Sequence, residues 1–404
     1  MLLKSFKFQL DLKNCLQKKL KKIKNNYVVG FFYDLKFEHI SKDVCQIPFF
    51  IGRKFNLPSI VVSLHSNAGI NNYLIENIKH AKIDRINILI PSKQKRLRLL
   101  KIFLVLFLIK NARRIKVFYL YQFSFNVNYL TIFLAILFKI FNPNGILHIR
   151  WEADFAYLNN YTKYKGIKGF FITKYYRIID IFGVIATDEK IDFITKNFGI
   201  PAKNIKMQFN GFNSKEILNK VRNIKSFKDR LDIITLSGRL DDKLKGLDVF
   251  LRAINEIDLG NWKIHLYGGD PKKIFDILKN YLNKSHMDKV FVFGRVSYEE
   301  LYNGLNNSKV YIVSSYVDGM PLAAIEAMAL GNIIISAKHY GMMIALQNGK
   351  IGKLFKIGDY KELGKIIYET INDNSYLEET FIKSLSFAWK NFSWENIIKQ
   401  IYCL

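Results

Sequence analysis

Lys309 to Gly331 reads KVYIVSSYVDGMPLAAIEAMALG, and the fold follows from how these residues divide. Val310 to Val313 form the short apolar run of a buried strand, Ser314 to Gly319 are loop formers, and Pro321 suits the first position of a helix. The stretch predicts one strand–loop–helix unit. In a parallel sheet such a loop sits at the carboxyl edge of the strands, and the helix start behind it favours an anion. Leu322, Ala323, Ala324, Ile325, Ala327, Met328, Ala329 and Leu330 leave this helix no polar face, so Glu326 is expected to be buried and to need a partner. A structural carboxylate satisfied by a backbone group or a lysine is one reading of it. Asp318 just before the helix and Glu326, about 7 to 8 Å along the axis from Pro321, bracket the helix start.

The same alternation runs along the whole chain. Val28 to Tyr33, Ser59 to Leu64, Asn87 to Ile90, Val117 to Leu120, Ile146 to Ile149 and, as the last of the first domain, Ile181 to Ala186 read as strands. Helical patterns at Asp43 to Phe55, Arg96 to Ile109, Asn128 to Phe141, Tyr161 to Ile179 and near Lys190 to Phe198 separate them, which argues a parallel sheet. After the Asn210-Gly211 turn, Ile233 to Leu236, Lys263 to Tyr267, Val290 to Phe293 and Ile333 to Ser336 supply the strands of a second domain. Leu247, Phe250, Leu251, Ile254 and Ile257 stripe one of its helices, Ser297 with Glu300 forms a capping box, and Asp359 with Glu362 repeats the N-cap spacing. The expected class is α/β, with Rossmann-like doubly wound domains over residues 1–205 and 206–385.

Composition narrows the partners. The 404 residues are enough for two domains with separate cores. Cys15, Cys45 and Cys403 are far apart and without ligand spacing, so neither a disulfide framework nor a metal site is expected, and a reducing compartment is favoured. Of the net charge of +28, residues 1–200 hold +21 (33 basic, 12 acidic) and the remainder +7 (29 basic, 22 acidic). Such a field suits nucleic acid, an anionic membrane or a phosphate-bearing substrate. Compositional bias toward Lys, Ile, Asn, Phe and Tyr explains it equally well. Met1 to Asn26 has no apolar core of signal-peptide length, so export by that route is not expected. Leu12, Leu16, Leu20 and Ile23 form a stripe among lysines that include Lys18 to Lys24, a pattern able to lie on an anionic membrane or to stand solvated. The apolar runs Ile102 to Ile109 and Ile132 to Phe138 are shorter than the roughly 20 residues of a spanning helix and read as buried helices.

The acid–Gly–x–Pro of Asp318 to Pro321, followed after four residues by Glu-Ala-Met-Ala-x-Gly at Glu326 to Gly331, resembles the signature of retaining GT-B nucleotide-sugar glycosyltransferases, glycosyltransferase family 4 (glycosyl transferases group 1). The resemblance implies two Rossmann-like domains facing across a cleft. Residues 386–404 then supply a terminal helix, within Phe387 to Ile401, that packs back on the first domain. It implies that Asp318, standing where Glu is commoner, contacts hydroxyls of the donor sugar and that Glu326 binds the ribose. Ser237-Gly238-Arg239-Leu240 and Lys245-Gly246 resemble the paired cations that hold the diphosphate, and fixed cations with helix N-termini can stabilise a departing diphosphate without a metal. Gly268, Gly269 and Pro271 match a glycine-rich loop near the base, and Gly238, Gly319, Met320, Pro321 and Leu322 complete the donor-binding set.

Two departures stand out. Tyr340-Gly341-Met342 and Ala345 replace the usual Gly–Gly and acid, and Ser41-Lys42-Asp43 replaces a glycine pair in the first domain. Glu152 and Asp154 follow a strand end, where a salt bridge to Arg150 or a surface loop competes with a cleft-facing acid; His265, between apolar neighbours, has no assigned role.

The resemblance thus implies a retaining, metal-independent glycosyltransferase moving a sugar from a nucleoside-diphosphate sugar, with no other cofactor. The acceptor would be a glycan or lipid-linked molecule in surface polysaccharide or lipopolysaccharide biosynthesis, met in the cytoplasm or on the inner face of the membrane. Two alternatives compete: a non-catalytic nucleotide-sugar-binding protein and a basic nucleic-acid-binding protein. Nucleic acid is not expected, because zinc spacing, helix-turn-helix and aromatic–basic signatures are missing.

Overall fold

A computed structural model describes residues 27–34, 43–65, 74–76, 85–89, 105–122, 129–151, 174–185 and 188–402. The stripe at Leu12 to Ile23, the Lys18 to Lys24 cluster, Ser41-Lys42, Glu152 and Asp154 lie outside them, as do parts of the patterns at 96–109 and 161–179. The chain divides into one unit of Met1–Gln208 with Ile398–Leu404 and another of Phe209–Ile397.

The first unit contains β1 (Tyr27–Asp34), α1 (Asp43–Phe55), β2 (Ser59–His65), β3 (Leu74–Glu76), β4 (Arg85–Leu89), a helix over 105–111, β5 (Ile115–Gln122), α2 (Tyr129–Phe141), β6 (Ile146–Trp151), β7 (Ile181–Val184), α3 (Asp188–Phe198) and β8 (Ile205–Met207). Its sheet runs β3-β4-β2-β1-β5-β6-β7-β8. Every pairing is parallel except β3 with β4, an antiparallel edge the alternation did not announce. The sheet also continues past Ile181–Val184 to β8, so the strand expected to be last is followed by another. The apolar helices are not wholly buried: Leu106 (58%), Ile109 (41%), Phe133 (50%) and Ile140 (65%) are exposed while Phe107, Leu108, Leu134 and Phe138 face the sheet. Such segments carry more apolar surface than one packed face can cover.

The second unit contains α4 (Ser214–Val221), β9 (Leu231–Ser237), α5 (Leu247–Asn255), β10 (Lys263–Tyr267), α6 (Pro271–Tyr281), β11 (Val290–Gly294), α7 (Tyr298–Asn307), β12 (Ser308–Val313), α8 (Leu322–Ala329), β13 (Ile333–Ala337), α9 (Tyr340–Ala345), β14 (Lys353–Phe355), α10 (Tyr360–Ile371) and α11 (Asn374–Phe392). A last helix, α12 (Trp394–Ile401), begins here and ends among residues assigned to the first unit. The sheet order β11-β10-β9-β12-β13-β14, parallel throughout, reverses its direction of winding between β9 and β12. Ligands of open α/β sheets bind at such a reversal, beyond the carboxyl ends of the strands.

The core explains the arrangement. Ile234 and Leu236 of β9, Ile264 and Leu266 of β10 and Ile312 of β12 are buried against Phe250, Leu251 and Ile254 of α5. The expected caps are present: Ser297 and Glu300 close a capping box on α7, and Asp359 accepts from Glu362 N–H at 2.9 Å. Pro321 differs from expectation. With ψ at 127° it is the N-cap of α8 and not its first helical residue. Nor is Phe387 to Ile401 one helix: Ser393 is extended, pairs with Phe212 and separates α11 from α12.

Candidate functional site

The loops leaving the carboxyl ends of β9 and β12 meet, and local sequence accounts for how. Asp242 accepts from Leu244 N–H at 3.0 Å and caps a single 3-10 turn, Lys243–Lys245, after which Gly246 takes a left-handed φ of 63°. A Cβ at Gly246 would stand 2.1 Å from the Ser314 carbonyl oxygen, so only glycine lets the two backbones lie this close. Tyr316 N–H donates to Leu244 O at 2.9 Å, and the Ser314 hydroxyl donates to Lys245 O at 3.3 Å.

This stitching presents Lys245 to Asp318. Lys245 Nζ lies 2.6 Å from Asp318 Oδ2, with the side chains 26% and 15% exposed. Asp318 Oδ1 also accepts from Gly319 N–H at 3.0 Å, so both carboxylate oxygens are held. Arg239 is not drawn into this pair. Its side chain is 77% exposed, with Nη2 3.5 Å from Asp242 Oδ2.

Glu326 sits one and a half turns into α8 and accepts from the Tyr302 hydroxyl at 2.9 Å. Burial lifts its carboxyl from near 4.5 to about 7; Tyr302 opposes the rise and the neighbouring acid Glu216 adds to it. Its partner is thus a phenol, neither the backbone group nor the lysine considered from sequence. Tyr311 of β12 donates to Ser237 O at 3.2 Å, and its oxygen is 2.9 Å from Ser237 Oγ. Burial raises this phenol far above its ordinary value, and the charges of Glu326 and Asp318 both push the same way.

The remaining donor-set residues fall around these loops. Gly268, at φ 92°, packs so tightly on the first loop that a Cβ would meet Gly238 O at 2.0 Å, and Gly238 N–H donates to Tyr267 O at 3.0 Å. Gly269 precedes Asp270, which caps α6 by accepting from Lys272 N–H at 2.9 Å, with Pro271 opening the helix. Met320 is 3% exposed and its carbonyl accepts from Asn210 Nδ2 at 2.8 Å. Gly319 has open space where a Cβ would project, and Leu322 is the first helical residue of α8. Tyr340-Gly341-Met342, the stretch lacking the usual acid, packs against this loop: a Cβ at Gly341 would lie 2.5 Å from Gly319 O. His339, just before it, is buried and donates from Nε2 to Ser315 O at 2.8 Å.

His265 lies beside Tyr267, Phe291 and Phe293, and burial lowers its pKa. Sequence reasoning missed Tyr302, Tyr311, Glu216, Asn210 and His339. Each acts across a long stretch of chain, and no spacing rule connects Tyr302 with Glu326 on a different helix.

Residues 219–384 match the family model described as glycosyl transferases group 1. Over 157 residues the chain is 28% identical to the uncharacterized glycosyltransferase MJ1178 of Methanocaldococcus jannaschii, an alignment covering 39% of this chain and 43% of that protein. A second from that organism, MJ1607, is 24% identical over 214 residues, covering 50% and 54%. The chain spans about half the length of the curated relatives it matches. Among solved structures, sucrose-phosphate synthase from Thermosynechococcus elongatus superposes with a TM-score of 0.64 at 15% identity, covering 93% of this chain and 97% of that one. Anabaena Alr3699/HepE in complex with UDP-glucose gives 0.62 at 14%, covering 93% and 98%. At these identities the likeness shows the fold: two parallel-sheet, Rossmann-like α/β domains of the GT-B type.

Proposed function

We propose that this protein is a retaining glycosyltransferase whose second domain holds a nucleoside-diphosphate sugar at the reversal point of its sheet. The observation that carries the reading is the 2.6 Å pair of Lys245 and Asp318, which joins the loops beyond β9 and β12 where an open α/β sheet binds its ligand. The match of residues 219–384 to glycosyl transferases group 1 supports it, as does the UDP-glucose bound by Anabaena HepE.

In this reading Lys245 and Arg239 face the diphosphate, Asp318 the sugar hydroxyls and Glu326 the ribose. Gly238, Gly268, Gly269 and the run Gly319 to Leu322 give the backbone close approach. Charge grows on the departing diphosphate as the bond to the sugar's anomeric carbon breaks, and a fixed ammonium in a half-buried loop stabilises it. The acceptor hydroxyl forms its bond on the face the diphosphate leaves, and its proton passes to a phosphate oxygen. No metal and no further cofactor enters this scheme. The acceptor is a glycan or lipid-linked molecule of surface polysaccharide or lipopolysaccharide synthesis.

Incubation with UDP-, GDP-, ADP- and CDP-sugars, with and without glycan acceptors, tests the reading by nuclear magnetic resonance of the product. An α-linked product from an α-linked donor, formed equally in EDTA, is expected. An inverted product or an absolute need for a divalent ion contradicts it. Donor binding without any release of nucleotide, in every acceptor mixture, would favour the non-catalytic binding protein.

Attachment to an anionic membrane is the second part of the proposal. It rests on Leu106, Ile109, Phe133 and Ile140, exposed on two helices of the first unit, and on exposed Arg113 and Arg114 in the half of the chain with the +21 charge. Among the described residues no helix is long and apolar enough to cross a membrane. Flotation with anionic vesicles at low salt is expected to carry the protein upward; absence of binding there discards the attachment.

A further inference from the structure

Glu326 is gripped by a donor and crowded by an acid, and neither neighbour belongs to the donor set described above. Tyr302, on α7, is 3% exposed and gives its hydroxyl to Glu326 Oε1 at 2.9 Å. Glu216 lies in the first turn of α4, a turn fixed by Asn213, whose Oδ1 accepts from Glu216 N–H at 3.2 Å. Helix α4 packs on α7, and α7 on α8. The charge of Glu216 pushes both Tyr302 and Glu326 toward their protonated forms.

We infer that Tyr302 and Glu216 are positioning residues that set the charge of Glu326 and thereby make sugar-nucleotide binding depend on pH. The inference rests on the reading above, in which Glu326 holds the ribose. A carboxylate accepts hydrogen bonds from two hydroxyls at once, whereas a protonated carboxyl keeps one oxygen occupied by its own proton. A phenol donor favours the carboxylate, because a hydrogen bond to a charged acceptor is stronger than one to a neutral acceptor. A second acid beside it favours the protonated form. The two neighbours therefore pull in opposite directions.

Other groups around Glu326 leave this balance to them. Tyr311 approaches from β12 as a phenol that burial keeps protonated. β13, also packed on α8, has the sequence IIISA without a titratable group. α11 turns Phe381, Ser384 and Ala388 inward and keeps Glu378, Glu379, Lys383 and Lys390 exposed. Glu216 itself is eased by Lys220 one turn along α4 and otherwise pushed toward its protonated form by burial.

The test is calorimetric titration with UDP-glucose, GDP-mannose and ADP-glucose from pH 5.5 to 9, on wild type, Tyr302→Phe and Glu216→Gln. Neither the diphosphate nor the base of these sugar nucleotides titrates near pH 7, so a midpoint there reports the protein. For the donor that binds, wild-type affinity is expected to rise with pH to a plateau. Tyr302→Phe should move the midpoint upward by about one pH unit, weakening binding at pH 7 roughly fivefold and recovering by pH 9. Glu216→Gln should move it downward and tighten binding at pH 6.5 several-fold. A purely structural cluster would lower thermal stability and leave both midpoints at the wild-type value, which would overturn the inference. Should Tyr302→Phe not fold, Glu216→Gln decides alone: an unmoved or raised midpoint overturns it. If wild type binds none of the three donors at any pH, the donor reading falls and takes this inference with it; binding with unmoved midpoints sinks the inference only.

Discussion

Replacing Glu326 by Gln should make the protein more stable and less active, and the gain should grow with pH. The folded carboxyl titrates at about 7 against an ordinary value near 4.5. Between these values the folded chain binds more protons than the unfolded chain, so wild-type stability falls as pH rises through that window. Gln is isosteric, can still accept from the Tyr302 hydroxyl, and never ionises. Integrated from pH 5 to pH 8.5, the displacement corresponds to about 2.5 kcal/mol. For a unit of this size that is a difference in Tm of about 5 to 10 °C. Paired thermal melts of wild type and Glu326→Gln without nucleotide, at pH 5, 6, 7 and 8.5, measure it directly. Curves that run parallel across that range, or that converge as pH rises, would refute the claim that Glu326 ionises at a cost.

Further outcomes follow from other contacts. Gly246→Ala places a methyl 2.1 Å from Ser314 O at a left-handed residue, so it should cost about 2 kcal/mol in urea denaturation and weaken donor binding by parting Lys245 from Asp318. Arg230, 4% exposed, donates to Ser308 O at 2.9 Å and to Lys225 and Leu330 carbonyls, and lies 4.9 Å from the Phe381 ring. Burial brings it to about 10, still charged at neutral pH, and Arg230→Ala should destabilise the second unit by about 3 kcal/mol in chemical denaturation. His148, buried, lies 2.7 Å from the Tyr402 oxygen and 2.9 Å from Gln208 Oε1, and burial drops it to about 3. The unfolded chain then takes up more protons between pH 6.5 and 3, so the first unit should lose stability as pH falls through that range, and His148→Gln should flatten the loss in acid melts.

Much of the second unit was legible because its signals are local. The short runs Ile233 to Leu236, Lys263 to Tyr267, Val290 to Phe293 and Val310 to Val313 became β9, β10, β11 and β12, and the Ser297 and Asp359 caps formed as spaced. What stayed hidden lacked length or locality. Leu74–Glu76, Ile205–Met207 and Lys353–Phe355 are three-residue strands, too short to show a period, and all three lie at sheet edges. Ser393 breaks the final helical pattern because it pairs with Phe212, a contact 181 residues away in sequence that no helical stripe foretells. Within the candidate site, sequence motifs named both Lys245 and Asp318, and only the strand order showed why they meet. The Tyr302 hydroxyl on Glu326 had no motif at all; an unusually apolar helix around one acid showed that some partner was needed, and tertiary packing chose which.

The central claim is that Lys245, Asp318 and Glu326 surround one nucleotide site, and equilibrium titration of UDP, GDP, ADP and CDP into wild type, Lys245→Ala and Glu326→Ala at pH 8 tests it most directly. At least one nucleotide should bind wild type with a Kd below about 1 mM, and each substitution should weaken it tenfold or more, roughly 1.4 kcal/mol. Binding that survives both substitutions unchanged, or no binding of any of the four, would contradict it.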